Sequence, residues 1–300
     1  MNIYYHSLYT DGIDPSSTFP RERYRLIKNE LKSYQSKGFI NIAQSKKAKI
    51  DDIYRAHLKD YVDRFIGGQL SDKETREIGL KPWTQDIVKR TLLITGGSLQ
   101  ALEDIYKGAN IAANMAGGTH HAFEAKGSGF CIFNDLAICA LKAIDHFLYK
   151  KILIIDLDVH QGDGTASILK GRNEIFTFSM HCEKNYPFKK ENSNYDVSLN
   201  EGLNDNQYLK ILEESLLQID SIKSDIIFFQ AGVDTLSDDR YGKLNLTREG
   251  LKKRNEYIFH FSKNRKNPIL IFMGGGYSKP INSTVLAFKD LFTSSFQYRF

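Results

Sequence analysis

The chain has 300 residues, 41% of them hydrophobic, with 41 Lys plus Arg against 36 Asp plus Glu, a composition that excludes a chain disordered throughout. The excess of +5 is spread over stretches such as SKKAK and LKKRNEY, as on solvated helix faces, and gives no strong nucleic-acid signal. Every apolar run falls far short of the roughly 20 residues that cross a bilayer, MNIYYHSLYTDGID does not read as a secretory signal, and Cys131, Cys139 and Cys182 have no CxxC spacing, so a cytoplasmic, reducing setting without a membrane span is expected.

After Pro20, apolar residues at Tyr24, Ile27, Leu31 and Tyr34 predict an amphipathic helix stopped by Gly38. Asp51 caps a second helical stretch through Arg64, which ends at Gly67 and Gly68, and a third runs from Pro82 through Lys107. From residue 152 onward, apolar runs at 152–157, 174–180, 225–231 and 268–273 alternate with helical patterns at 163–170, 205–220, 247–264 and beyond Ser278. The polar stretch 182–205 reads as a long loop.

Strands that alternate with helices predict a parallel sheet. The runs are almost continuous in Ile, Leu, Val and Phe, as strands are when helices cover both faces of a sheet. With no linker or repeat to interrupt the alternation, the expectation is one α/β domain over residues 1–300.

Ligands of open parallel sheets bind at the carboxyl ends of the strands, and the chemically suspicious residues cluster there. KILIIDLDVHQGDGT places Asp156, Asp158 and His160 at alternate positions as a strand runs out, so they share one side. Two carboxylates leaving a buried strand are costly unless paired or metal-bound. Asp234, just past the run DIIFFQ, can complete a site of one histidine and two carboxylates suited to zinc or iron(II), although it and Asp163 also read as helix caps.

GGTHHAFEAKGSGF supplies the adjacent His120 and His121, which carboxylates such as Asp156 and Asp163 would orient for acid and base work near neutral pH. PILIFMGGGY ends in three glycines and Tyr277, either a plain turn or a flexible hinge that swings the tyrosine hydroxyl over a metal to stabilise an oxyanion. An EF-hand loop from Asp156 fails, because Gln161 stands at its sixth position and Ser167 at its twelfth. The DxD of a magnesium-dependent phosphoryl-transfer enzyme fits Asp156 and Asp158 locally but leaves the histidines and Tyr277 without a role.

Taken together and in order, GGTHHA at 117–122, GFCIFND at 129–135, DLDVHQGDGT at 156–165, QAGVDTLSDDRYGKLNLT at 230–247 and GGGY at 274–277 resemble the histone deacetylase family of the arginase/deacetylase fold. PWTQDIVKRTLLITGGSLQA is similar to its class IV branch and bacterial relatives. The resemblance implies Zn2+, with Fe2+ as the alternative, held by Asp158, His160 and Asp234. It implies His121 as general base oriented by Asp163, His120 as its companion paired with Asp156, and Tyr277 as the transition-state tyrosine.

It further implies a substrate channel walled by Phe130 and Tyr186 with Gly129 and Gly275 beside it, and a structural K+ at Asp156, Asp158, His160, Ser179 and Met180. The implied substrate is an acyl-lysine protein or peptide, or a small acylated amine such as an acetylpolyamine. EIGLKP at 77–82 stands where many class I members carry an aspartate that grips the substrate backbone. A silent acyl-lysine binding module is the remaining alternative, disfavoured because every ligand, base and tyrosine is present.

Overall fold

The four apolar runs become the centre of an eight-stranded sheet in the computed structural model, which describes residues 1–295. In chain order the strands are β1 (Asn2–Tyr5), β2 (Asn41–Gln44), β3 (Ile111–Asn114), β4 (Ile152–Asp156), β5 (Ile175–Cys182), β6 (Tyr195–Leu199), β7 (Ile226–Gln230) and β8 (Ile269–Phe272). They lie in the order β2-β1-β3-β8-β7-β4-β5-β6, and every pairing is parallel.

Every residue of β3, β4, β7 and β8 is buried, because helices cover the sheet on both faces. One group of helices, Arg23–Ser36, Arg248–Arg265 and Asn282–Ser295, packs on itself, while Asp86–Tyr106 packs on β1, β3 and the helix Asp135–Asp145. The edge strand β2, sequence NIAQ, is half exposed.

The register positions the site. Asp156 pairs with Gln230 on one side and Ser179 on the other, and Gln230 pairs with Phe272, so β4, β7 and β8 end at one level. The loops that follow β3, β8, β7 and β4, four neighbours in the sheet, therefore converge on one crevice.

Several sequence expectations need correction. The stretch 182–205 is not all loop: Tyr195–Leu199 forms β6 by pairing with β5, with the Tyr195 and Phe178 rings stacked at 5.2 Å. The helix expected from Asp51 to Arg64 is two, Ile50–Ile53 and Lys59–Ile66, and the one expected from Pro82 starts at Asp86. The strands β1, β2 and β3 have no counterpart among the sequence expectations. Each has four residues, too few for a periodic signal, and each exists through its neighbours in the sheet.

Candidate active site

Past the end of β4, Leu157 and Val159 point into the core while Asp158 and His160 alternate with them toward the crevice. The Asp156 carboxylate accepts the Asp158 N–H at 3.1 Å, and the Asp234 carboxylate accepts the Val159 N–H at 2.9 Å, which locks the loops after β4 and β7 together. As a result, ligand atoms of Asp158, His160 and Asp234 lie within 4.8 Å of one another. His160 Nδ1 is 3.0 Å from Asp158 Oδ1 and 3.2 Å from Asp234 Oδ2.

Asp158 and Asp234 are 1% and 0% exposed, and their charged partners among the described residues are imidazoles. Burial and the facing Asp158 carboxylate push Asp234 up to about 7, so the two carboxylates favour sharing a positive charge between them. One imidazole and two carboxylates converging this closely fit a divalent metal. Gly275 closes in on them: its N–H donates to Asp158 Oδ2 at 2.8 Å, and a Cβ there would stand 2.0 Å from Asp234 Oδ2.

Sequence reasoning did not find Arg254. Wholly buried on the helix Arg248–Arg265, it donates to the carbonyls of Gly232 at 2.6 Å and of Leu157 and Ala231 at 3.3 Å. It thereby ties the loops after β4 and β7 to one helix.

The histidines form two parallel dyads on the loop after β3. His120 Nδ1 donates to Asp156 Oδ2 at 2.7 Å and His121 Nδ1 to Asp163 Oδ1 at 2.6 Å, with the two rings 4.1 Å apart. Their protonation diverges. Burial opposes charge on His120, but the Asp156 and Asp158 carboxylates outweigh it and raise the imidazole to about 9. Burial, reinforced by the charge on His120, lowers His121 to about 4. His121 is thus neutral near pH 7 and, with its proton on Nδ1, presents Nε2 as an acceptor.

The loop itself hangs on Asp135, another residue without a sequence assignment. Its buried carboxylate accepts the N–H of Thr119 at 2.9 Å, the N–H of Gly118 at 3.3 Å and the Ser98 hydroxyl at 2.6 Å.

A cavity of about 440 Å³ opens over these groups. Phe130, Tyr186, Gly129, Gly275 and Tyr277 line it, as do Asp158 and His160. The Tyr186 ring stands edge-on to His121 at 5.0 Å, and the Phe130 ring lies 5.7 Å from that of Tyr277. At Gly129, φ +53°, a Cβ would come within 2.8 Å of the His121 ring. Of the glycines before Tyr277, Gly275 serves close approach to Asp158 and Asp234, while a Cβ at Gly274 would meet Gly232 and one at Gly276 would meet Val233. Tyr277 is anchored: its N–H donates to Asp239 at 2.6 Å, and the Arg23 guanidinium, which donates to the Gly276 carbonyl at 2.8 Å, sits 5.3 Å from its ring.

Comparison with known proteins settles the lineage. The model of the histone deacetylase domain matches residues 17–288. An uncharacterized protein of Picosynechococcus is 41% identical over 287 residues, 94% of each chain. The chain belongs to the histone deacetylase family. Histone deacetylase 8 of Xenopus tropicalis is 27% identical over 300 residues, 93% of this chain and 80% of that one. A crystal structure of the HDA15 HD domain, 19% identical, superposes with a TM-score of 0.82 over 99% of this chain and 88% of that one, which shows the shared fold.

Membership in the histone deacetylase family supports deacetylase activity, a hydrolysis. Two further groups of sequence-assigned residues have definite places in this family member. Asp156 and Ser179 face each other in register on β4 and β5, with buried Met180 next along and the Ser179 hydroxyl 3.0 Å from His181 Nδ1. In EIGLKP, Glu77 lies at the mouth of the cavity, and its carbonyl accepts the Gly129 N–H at 3.3 Å. No helix among the described residues is long and apolar enough to cross a membrane.

Proposed function

We propose that the chain is a zinc-dependent amidohydrolase that removes an acyl group, acetyl or longer, from the ε-amine of lysine in a protein or peptide. The observation that carries this reading is the meeting of a buried His and two-carboxylate set with two His–Asp dyads at the base of one cavity.

Asp158, His160 and Asp234 would hold the ion, Zn2+ or Fe2+. A divalent ion bound there would supply Lewis-acid chemistry, polarising the amide carbonyl and lowering the pKa of a water. His121 Nε2 takes a proton from the attacking water as its oxygen bonds to the carbonyl carbon, and Asp163 stabilises the imidazolium that results. The Tyr277 hydroxyl donates to the oxyanion of the tetrahedral intermediate. His120, held as an imidazolium by Asp156, contributes positive charge beside it. The C–N bond then breaks as His121 returns its proton to the leaving nitrogen, and the amine departs with a carboxylic acid that ionises to the carboxylate by releasing its proton to water.

Phe130 and Tyr186 face the cavity as apolar walls for a methylene stem. A structural K+ is assigned to Asp156, Asp158, His160, Ser179 and Met180, supported by the register of β4 on β5. The three cysteines are buried and free, in keeping with a reducing, cytoplasmic setting. Deacylation of a small amine such as an acetylpolyamine is the second reading. At the cavity mouth Lys184, Arg240 and Lys243 outnumber Glu77, although Lys184 and Lys243 both pair with Glu201, and this excess opposes it, because a polyamine is itself cationic.

The test is incubation of the purified protein with matched peptides bearing acetyl-lysine and myristoyl-lysine, with and without a chelator, followed by mass spectrometry. Chelator-sensitive loss of either acyl group is expected. Loss of neither from zinc-loaded protein would overturn the lysine reading and leave the small-amine one.

A further inference from the structure

Tyr277 belongs to no helix or strand. It follows three glycines after β8, so the place of its ring is decided by whatever holds its backbone. On one side the holder is Asp239, in the loop after β7 that also carries Asp234. Asp239 Oδ2 accepts the Tyr277 N–H at 2.6 Å, while its Oδ1 accepts the N–H groups of Tyr241 at 2.9 Å and Gly242 at 3.1 Å. One carboxylate thus staples the loop after β7 to the loop after β8. The Tyr241 ring, fixed by the same carboxylate, packs edge-on against the Tyr277 ring at 5.1 Å. From the opposite side, Arg23 donates to the carbonyls of Gly276 at 2.8 Å and Gly274 at 3.3 Å.

We infer that Asp239 is a positioning residue for Tyr277, setting the tyrosine hydroxyl where the oxyanion develops. The inference rests on the reading of Tyr277 as oxyanion donor. A preorganised donor needs its position fixed before the reaction, and while Gly275 is held by Asp158 and by the Val233 N–H, the N–H of Tyr277 itself is held by Asp239. Asp239 suits the task because both of its oxygens face N–H donors, which only an ionised carboxylate can satisfy together. Asn has one acceptor. With two donors on the Tyr241–Gly242 side, its carbonyl is better used there, and its amide then confronts the Tyr277 N–H and pushes that loop away.

The experiment is a double-mutant cycle on the zinc-loaded full chain, with kcat, KM and bound zinc measured for the wild type, Asp239→Asn, Tyr277→Phe and the double variant. Asp239→Asn is expected to lower kcat roughly tenfold to a hundredfold, the cost of misplacing a group by about 1 Å, with KM and zinc content unchanged. The double variant should be no slower than Tyr277→Phe alone, because the two substitutions remove one contribution. An equal loss from Asp239→Asn in both backgrounds, or a loss that appears as raised KM or missing zinc, would overturn the positioning role and leave Asp239 a brace for the loop of Asp234. A slow Tyr277→Phe beside an unimpaired Asp239→Asn would overturn it while sparing Tyr277. A Tyr277→Phe variant as fast as wild type would overturn both. If the asparagine variant does not fold, Asp239→Ser, whose single oxygen can serve only one of the two loops, goes through the same cycle.

Discussion

His121 and Asp163 are joined by a 2.6 Å contact from Nδ1 to a carboxylate oxygen, and both are almost wholly buried. This contact fixes the tautomer that leaves Nε2 free, and its charge favours the imidazolium formed when Nε2 takes a proton. Asp163→Asn keeps an acceptor in place and removes that charge. Turnover should fall at least about tenfold, since a positioned base contributes 10²–10⁴-fold, while bound zinc stays constant. Steady-state kinetics with elemental analysis checks this, and undiminished turnover would remove Asp163 from the mechanism.

Metal retention should respond to two very different substitutions. Asp158→Ala deletes an assigned ligand, and Gly275→Ala adds a methyl group 2.0 Å from Asp234 Oδ2 and 2.8 Å from Asp158 Oδ2. Both proteins are expected to lose zinc on dialysis under conditions in which the wild type holds it. Stoichiometric zinc in Asp158→Ala would contradict the ligand assignment.

His57, away from the metal residues, makes stability depend on pH. Its Nδ1 donates to the Phe123 carbonyl at 2.9 Å and its Nε2 accepts the Asn134 N–H at 2.8 Å, an arrangement open only to the neutral ring. Burial lowers it from 6.5 to about 4. Its contribution is therefore full above about pH 6.5 and is lost as pH falls toward 4, an effect of about 3 kcal/mol. Urea unfolding of wild type and His57→Gln should show a shallower acid loss in the variant, and parallel curves would refute the assignment.

Arg254 should matter to stability through carbonyls rather than charge pairs. Arg254→Met strands the oxygens of Gly232, Leu157 and Ala231, at about 1–3 kcal/mol for each group left unpaired. A loss of about 3 kcal/mol in denaturant unfolding is expected, with weakened zinc binding because Asp158 and Asp234 sit on those loops. An unchanged midpoint would show that water replaces the guanidinium.

What the sequence made legible follows from where information is local. Asp156, Asp158 and His160 alternate on one extended segment, and Gly274–Tyr277 trails an apolar run, so each was readable from its neighbours. The central strands β4, β5, β7 and β8 were readable for the same reason. Tyr195–Leu199 was not, because YDVSL becomes a strand only through its pairing with β5. Arg254, Asp135 and Asp239 were missed on other grounds. Each acts on backbone groups across the fold, and a backbone amide or carbonyl leaves no mark in the residue type that carries it.

The order of strands in the sheet has a consequence for when this site can come into being. Ile111 on β3 pairs with Ile269 on β8, so the half of the sheet that carries His120 and His121 joins the half that carries Asp158 and Asp234 through a strand that follows all of them in sequence. Contacts this distant form late, after much loop entropy has been spent. On the ribosome, the nascent chain holds its histidines and aspartates long before the strand that unites them has been made. Assembly of Asp158, His160 and Asp234 beside the paired imidazoles then waits for β8, and a chain cut before Ile269 retains all of these residues without the architecture that brings them together.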